Sequence, residues 1–284
     1  MRPPLQPVFR GRRHRRVHKL KTAYVDGVLS QVILARAPFV ARADHTLLAV
    51  DFCQMELRLL AHLAGDVRLI AAIRDAPGGD IFRQLAALWR ERTKRVVYAA
   101  MYGAGRARLA EVLSCVPEQA QHVLDSFLAR CPAIAGFSRG VVADCRRDGF
   151  VASLLGRRRW MAGIASTQPQ AERQAVNFRV QGSAADVCKL VMLAVSRAAP
   201  DVPLLAQLHD ELLWEVPRHR LDAFRALVGR ELGRLETLLT AAGRPGPLLV
   251  PLPVAVTTGQ CWADMQPLLE EGGRPVTEGD GAAV

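Results

Sequence analysis

Asp44-His45-Thr46-Leu47-Leu48-Ala49-Val50-Asp51 is a short run of apolar side chains that closes on an acid. A bounded apolar run of this length predicts a buried β-strand, here one that delivers a carboxylate at its end. Helical spacing follows at once, with Leu57, Leu60 and Leu63 on one side of a helix predicted over 56–63. Far downstream, Pro203-Leu204-Leu205-Ala206-Gln207-Leu208 and Glu211-Leu212-Leu213-Trp214-Glu215-Val216 flank His209-Asp210. Residues 202–217 therefore read as a β-hairpin with a second acid in its turn. Either carboxylate alone would be an ordinary surface acid. As a pair abutting apolar strands, Asp51 and Asp210 are the donors that a divalent-metal site for phosphoryl transfer requires.

Between the two acids, from Ile70 to about Asp148, the pattern is helical. Breaks at Pro77-Gly78-Gly79, Gly103-Ala104-Gly105, Pro117 and Pro132 divide it into four or five short helices. Gly156-Arg157-Arg158-Arg159 predicts a turn, 170–199 a long helix, 221–241 another helix and 248–257 a last apolar strand. The tail from Glu270 is rich in Gly and acids and is expected to be disordered. A strand, a helical block, then a helix and strands again is the order of an α+β sheet domain with a helical insertion. The sequence contains no internal repeat.

Half of the 284 residues are hydrophobic, enough for a substantial core in one large domain or two smaller ones. No apolar run approaches the roughly 18 residues that a membrane span needs. The six cysteines are scattered without a CxxC pair, so free thiols are expected and a zinc site is not. A net charge of +11 and a pI near 10.1 favour a polyanionic partner, nucleic acid above all, through phosphate contacts and counterion release. Much of that charge sits in residues 1–21, where Arg2, Arg10, Arg12, Arg13, Arg15, Arg16, Lys19 and Lys21 meet no acid. Such an arm is either solvated or faces nucleic acid. An arginine-rich start also resembles a mitochondrial presequence, but no apolar segment of the secretory kind follows it.

Two stripes carry more chemistry. Arg90, Lys94, Tyr98 and Tyr102 recur every fourth residue, which on a helix lays them along one slowly turning face. Two cations at one end suit a triphosphate, and two aromatics at the other suit stacking on a base or sugar. An amphipathic helix with aromatics in the core and cations in water has the same spacing. Arg173, Asn177 and Gln181 form the second stripe. Amide and guanidinium groups in a row can hydrogen-bond base edges and backbone in a shallow groove, although an exposed polar face has the same pattern.

In their order these blocks resemble the motifs of the A-family DNA polymerases. Asp51-Phe52-Cys53-Gln54-Met55-Glu56-Leu57-Arg58 resembles the first palm motif and Arg90…Tyr102-Gly103 the fingers helix. Gln181-Gly182-Ser183-Ala184-Ala185-Asp186 lies in the palm helix, and His209-Asp210-Glu211 closes the set. The phrases Thr93-Lys94-Arg95-Val96-Val97-Tyr98 and Ala171-Glu172-Arg173-Gln174-Ala175-Val176-Asn177-Phe178 are similar to the eukaryotic nu/theta branch. The likeness runs from about His18 to Asp264. It implies an α+β palm, an antiparallel sheet with helices, carrying a helical fingers insertion in a right-hand architecture that lacks most of the thumb. The expected division is a basic arm and thumb remnant over 1–27, palm over 28–65, fingers over 66–155, palm again over 156–265 and a disordered tail over 266–284.

The resemblance also implies roles. Asp51 and Asp210, with the backbone carbonyl of Phe52, would hold two Mg²⁺ ions (or Mn²⁺), and Glu211 would support the site without being a full ligand. Arg90 and Lys94 would contact the incoming dNTP, and Lys94 could donate a proton to pyrophosphate. Tyr98 and Tyr102 would pack near the nucleotide and the templating base. Gln54 is placed with the nucleotide-binding residues, and Glu56 resembles the gate that excludes a ribose 2′-hydroxyl. Arg173, Asn177, Gln181 and His209 would touch primer-template DNA at the nascent pair.

The implied activity is error-prone, template-directed DNA synthesis without proofreading, in repair or translesion synthesis, with nuclear residence expected ahead of mitochondrial. Departures from the family pattern keep alternatives open. Val28 to Ala43 stands where the family carries a longer duplex-gripping segment, and nothing in it is recognisable as that segment. The fingers are short between Trp89 and Arg90, and the connection from Arg159 to Arg173 is also short. A DNA-binding module that keeps the fold without catalysis competes with the enzyme. A metal-dependent nuclease or phosphatase explains the carboxylates but neither the fingers stripe nor Glu56.

Overall fold

The computed structural model describes residues 35–75, 99, 106–164, 168–244 and 246–268. The basic arm, the thumb remnant, the fingers stripe from Arg90 to Tyr102 and the tail from 269 lie outside the described residues.

The opening strand is the centre of the sheet. Strand β1 (His45–Phe52) has its neighbours on both sides, and five of its eight residues in a row are buried. That double burial explains why it reads as a continuous apolar run and not as an alternating one. It pairs antiparallel with β5 (Glu211–Pro217) on one side and with β6 (Val254–Gly259) on the other. Strand β4 (Leu204–Leu208) and the short β7 (Gln266–Pro267) complete the order β4-β5-β1-β6-β7. The hairpin predicted over 202–217 is present.

The two faces of the sheet are covered differently. Leu48, Val50 and Phe52 of β1 join Leu212, Trp214 and Val216 of β5 in the main core. Against them pack Val187, Cys188, Val191 and Val195 of the long helix α6 (Pro169–Ala198). Phe224 and Val228 of α7 (Leu221–Gly233), and Leu235 and Leu239 of α8 (Leu235–Ala241), close this layer. Each such large apolar side chain contributes about 1.5–3 kcal/mol on burial. On the opposite face Leu47, Ala49 and Leu213 meet, among the described residues, Ala41 and Trp262 and the half-buried Ala206, Leu208 and Met265, a thin cover as far as those residues go.

The helical insertion begins with α1 (Met55–Ala64) and α2 (Val67–Arg74) and continues with α3 (Arg106–Leu113), α4 (Pro117–Arg130) and α5 (Pro132–Asp148). Pro117 and Pro132 each sit at a helix start, where the missing N–H costs nothing. One buried carboxylate serves two helix starts, because Asp66 accepts from Leu69 N–H (3.0 Å) in α2 and from Ala133 N–H (3.2 Å) in α5.

Four expectations are corrected. The turn expected at Gly156–Arg159 falls earlier, at Leu154–Leu155, in a two-stranded hairpin of β2 (Phe150–Ala152) with β3 (Arg158–Trp160), so Arg158 and Arg159 are strand residues. The helix predicted over 221–241 breaks at Arg234, just after Gly233, into α7 and α8. The last strand starts at Val254 and not at Leu248, since Pro251 and Pro253 have no N–H for a ladder and residues 248–250 turn to the core. Finally, order runs past 265, where a tail was expected from 266, because Gln266 and Pro267 pair with Thr258 and Thr257. All six cysteines are free thiols, and none of the described helices is long and apolar enough to cross a membrane.

Candidate active site

Antiparallel register brings the two predicted acids to the same end of the sheet. Asp51 stands opposite Glu211 in the β1–β5 ladder, and the Phe52 N–H donates to the Asp210 carbonyl at 3.2 Å. Asp210 occupies the second position of the two-residue turn between β4 and β5, preceded by His209, whose φ of 56° is left-handed. That conformation is uncommon outside Gly, and His and Asn are among the residues that tolerate it. The tight turn lifts His209 into solvent and leaves Asp210 half-buried beside β1.

Both carboxylates are felt by a third group. The Cys188 thiol, buried in α6, has its pKa pushed up to about 12, first by burial, then by the charges of Asp210 and Asp51. Its Sγ lies 3.9 Å from the His209 carbonyl oxygen. Cys188 comes seven residues after Gln181, two helical turns along nearly the same face of α6. The Arg173–Asn177–Gln181 stripe therefore leads along the helix to the carboxylates, about 22 Å from Arg173 to Cys188 at 1.5 Å per residue. Arg173 and Gln181 are exposed, and Asn177 is half-buried with its Oδ1 buried and without a partner among the described residues.

The turn after Asp51 is anchored from behind. Gln54 adopts φ 55° and starts α1, which places Glu56 in the first turn of that helix. Arg58, fully buried, donates from Nε to the Cys53 carbonyl (2.9 Å) and from Nη1 to the Pro251 carbonyl (3.1 Å). The guanidinium thus ties the β1–α1 turn to the chain entering β6. Burial lowers its pKa from the ordinary arginine value.

Glu211 faces the thinly covered side of the sheet. It accepts from both terminal nitrogens of Arg36 (3.2 and 2.7 Å) and from the Trp262 indole N–H (2.9 Å). It is thus engaged by protein groups on both oxygens. Among the described residues no group of three or more His, Cys, Asp or Glu gathers as a metal cage. The donors expected at this end of the sheet are the carboxylates of Asp51, on β1, and Asp210, in the β4–β5 turn. Such an open set fits a hard divalent cation that keeps waters and takes phosphate oxygens, and it does not fit a closed zinc site.

The expected residues thus divide. Asp51, Phe52, Gln54, Glu56, His209, Asp210 and Glu211 come to one end of the sheet, and Arg173, Asn177 and Gln181 line the helix leading to it. Arg90, Lys94, Tyr98 and Tyr102 lie outside the described residues. Sequence reasoning missed Arg36, whose partner is 175 positions away. It also missed Cys188, which extending the stripe by two turns would have found. Arg157 and Arg179 were passed over as well. Arg157 donates to Asp186 (2.8 Å) and the Gly182 carbonyl (2.9 Å), and Arg179 to the Ala152 carbonyl (2.7 Å), so both pin the β2–β3 hairpin to α6.

Comparison with known proteins shows the family. The model of DNA polymerase family A matches residues 29–264. The match takes in residues 29–43, most of the short stretch that stands where a longer duplex-gripping segment was expected. The chain is 34% identical to DNA polymerase theta of Drosophila melanogaster, over 82% of this chain and 12% of that protein. It is 34% identical to the thermostable DNA polymerase I of Thermus thermophilus, over 80% of this chain and 28% of the other. The chain therefore spans well under a third of the length of these relatives. A solved POL domain of Pol1 from M. smegmatis, in complex with DNA primer-template and dNTP, superposes with a TM-score of 0.68 at 31% identity. The superposition covers 80% of this chain and 42% of that one.

Proposed function

The chain belongs to DNA polymerase family A, and on that basis we propose that it is a template-directed DNA polymerase, joining a dNTP to a primer 3′-hydroxyl. The observation that carries this reading is the convergence of Asp51, from β1, and Asp210, from the β4–β5 turn, on one end of the sheet where both act on Cys188. In this reading Asp51 and Asp210 hold two divalent ions, Mg²⁺ or Mn²⁺, with the Phe52 carbonyl. Such ions, when bound, lower the pKa of the primer hydroxyl and neutralise triphosphate charge. The protonated Cys188 thiol beneath them adds no charge of its own. The solved neighbour's complex with primer-template and dNTP supports the same ligands here.

The other roles belong to the same reading. Arg173, Asn177 and Gln181 present donors and acceptors to the groove of the nascent pair, and exposed His209 reaches the primer end. Glu56, at the start of α1, limits the space beside the sugar. Arg90, Lys94, Tyr98 and Tyr102 contribute the triphosphate and base contacts on the strength of their spacing and resemblance alone. Error-prone synthesis in repair or translesion, and residence in the nucleus, belong to the same reading. They rest on the theta likeness and the nu/theta motif phrases.

Primer extension with Mg²⁺ and four dNTPs, beside Asp51→Ala and Asp210→Ala, tests the proposal. Extension by the parent and loss in both variants supports it. A folded parent that binds primer-template but does not extend it under Mg²⁺ or Mn²⁺ replaces it with the non-catalytic DNA-binding module.

A further inference from the structure

The segment from Arg36 to Arg42 crosses the thinly covered face of the sheet. This strap is fastened to the chain just past β6 by a bridge between Val40 and Cys261 and by hydrogen bonds from the Ala41 N–H to the Gln260 carbonyl (2.9 Å) and from the Trp262 N–H to the Phe39 carbonyl (3.0 Å). The Phe39 ring stands edge-on to Trp262 at 5.3 Å. Its two arginines reach β5 on either side of Leu213. Arg42 binds Glu215, and Arg36 forks onto Glu211 while its guanidinium lies 4.4 Å from the Trp262 ring centre.

The second contact has a consequence for the site. Residues directly opposite in an antiparallel pair share a face, with Cβ atoms roughly 4.5–5.5 Å apart. Asp51 and Glu211 are such a pair, so Glu211 stands beside one of the two metal-site carboxylates. Ionised together without a cation, they would repel, and Glu211 would be a third carboxylate within reach of the same ions. Instead, its oxygens take two bonds from Arg36 and one from Trp262. The Arg36 and Glu211 side chains keep only 18% and 13% of their exposure, so water screens this pair little.

We propose that Arg36 is a positioning residue of the polymerase site, silencing Glu211 so that Asp51 and Asp210 alone present carboxylate charge to the divalent ions. The fork and the indole hold the Glu211 carboxylate toward the strap. The arginine charge cancels the Glu211 charge and leaves the pair of acids that an open site needs. This inference rests on the polymerase reading for the identity of the site, but its test does not depend on turnover.

Mn²⁺ binding to the protein without DNA or nucleotide, followed by the electron paramagnetic resonance of free Mn²⁺, is the direct readout. The parent is compared with Arg36→Ala, Arg36→Gln, Arg36→Ala/Glu211→Gln and Arg42→Ala. Arg36→Ala and Arg36→Gln are expected to bind Mn²⁺ at least threefold more tightly, with the midpoint of Mg²⁺ dependence in primer extension moving the same way. The double variant returns to the parent affinity, and Arg42→Ala, which loosens the strap at Glu215 only, stays there throughout.

Unchanged Mn²⁺ affinity in both single Arg36 variants overturns the proposal. So does a double variant that keeps the change, since the strap and not Glu211 would then be responsible. Should Arg36→Ala not fold, Arg36→Gln decides alone, because it retains hydrogen-bond donors without charge. A parent that binds Mn²⁺ through Asp51 but never extends a primer removes the polymerase reading while the Arg36 result stands. A parent that binds no Mn²⁺ removes both.

Discussion

Arg42 and Glu215 are joined twice, although 173 positions separate them: the Arg42 backbone N–H and its Nε each donate to a different Glu215 oxygen at 2.8 Å. The backbone bond above all holds the Glu215 carboxyl below the usual carboxylate range, with the guanidinium bond adding to it against the opposing effect of burial. A carboxyl whose folded pKa lies below its unfolded value stabilises the protein above the unfolded value, about 4.3 for Glu. That contribution disappears as pH falls through the depressed folded value. Urea unfolding of the parent and Glu215→Gln should therefore differ most at about pH 6–7, and the gap should close below about pH 4. A gap that stays constant across that range would exclude the ionised pair as its source.

Backbone crowding at the end of β6 gives a second expectation. A Cβ added at Gly259 would sit 2.7 Å from the Asp264 carbonyl oxygen and 3.2 Å from the Met265 Cα. Both are main-chain atoms that cannot rotate away, so Gly259→Ala should destabilise by about 1–3 kcal/mol. Gly140, inside α5, has nothing within 4 Å of such a Cβ. There the same substitution should stabilise by about 0.5–1 kcal/mol, by the helix preference of Ala over Gly. Urea midpoints of the two variants should move in opposite directions.

Asp66 links two helices through one side chain. Asp66→Ala removes the cap on Leu69 and the bond to Ala133, in a place where the orphaned N–H groups are poorly reached by water. The loss should be about 1–3 kcal/mol, larger than an exposed cap alone would cost. Asp66→Asn keeps an acceptor oxygen and should recover part of it. Chemical denaturation of the two variants side by side measures this, and equal losses would assign the effect to charge instead of capping.

Glu56 lies in the first turn of α1, four residues after the end of β1. On the polymerase reading, Glu56→Ala should raise the kcat/KM for a ribonucleotide relative to its deoxy counterpart by about tenfold or more, near 1.4 kcal/mol. Single-nucleotide incorporation with matched rNTP and dNTP gives the ratio. No change in it would take the gate role away from Glu56.

Much of the fold was legible before any coordinates. The β1 strand, the 202–217 hairpin and the long α6 helix declare themselves by period and by turn residues, which act over a few positions. The short β2–β3 hairpin was not legible, because three residues per strand carry no period and the arginines look like a solvated turn. Its place depends on Arg157 and Arg179 reaching α6. The start of the last strand was misjudged for a related reason, since apolar Leu248–Val250 and strand β6 look alike until Pro251 and Pro253 are weighed.

The sequence by itself determined the α+β class, the central strand, the two carboxylates and the stripe that leads to them, because each is written in local spacing. Tertiary structure alone decided that Asp51 faces Glu211, that Cys188 lies beneath both acids and that Arg36 takes Glu211 for itself. Register and strand order set those neighbours. A cation finds its partner by distance in the folded sheet, and at 175 positions apart no pattern along the chain records it.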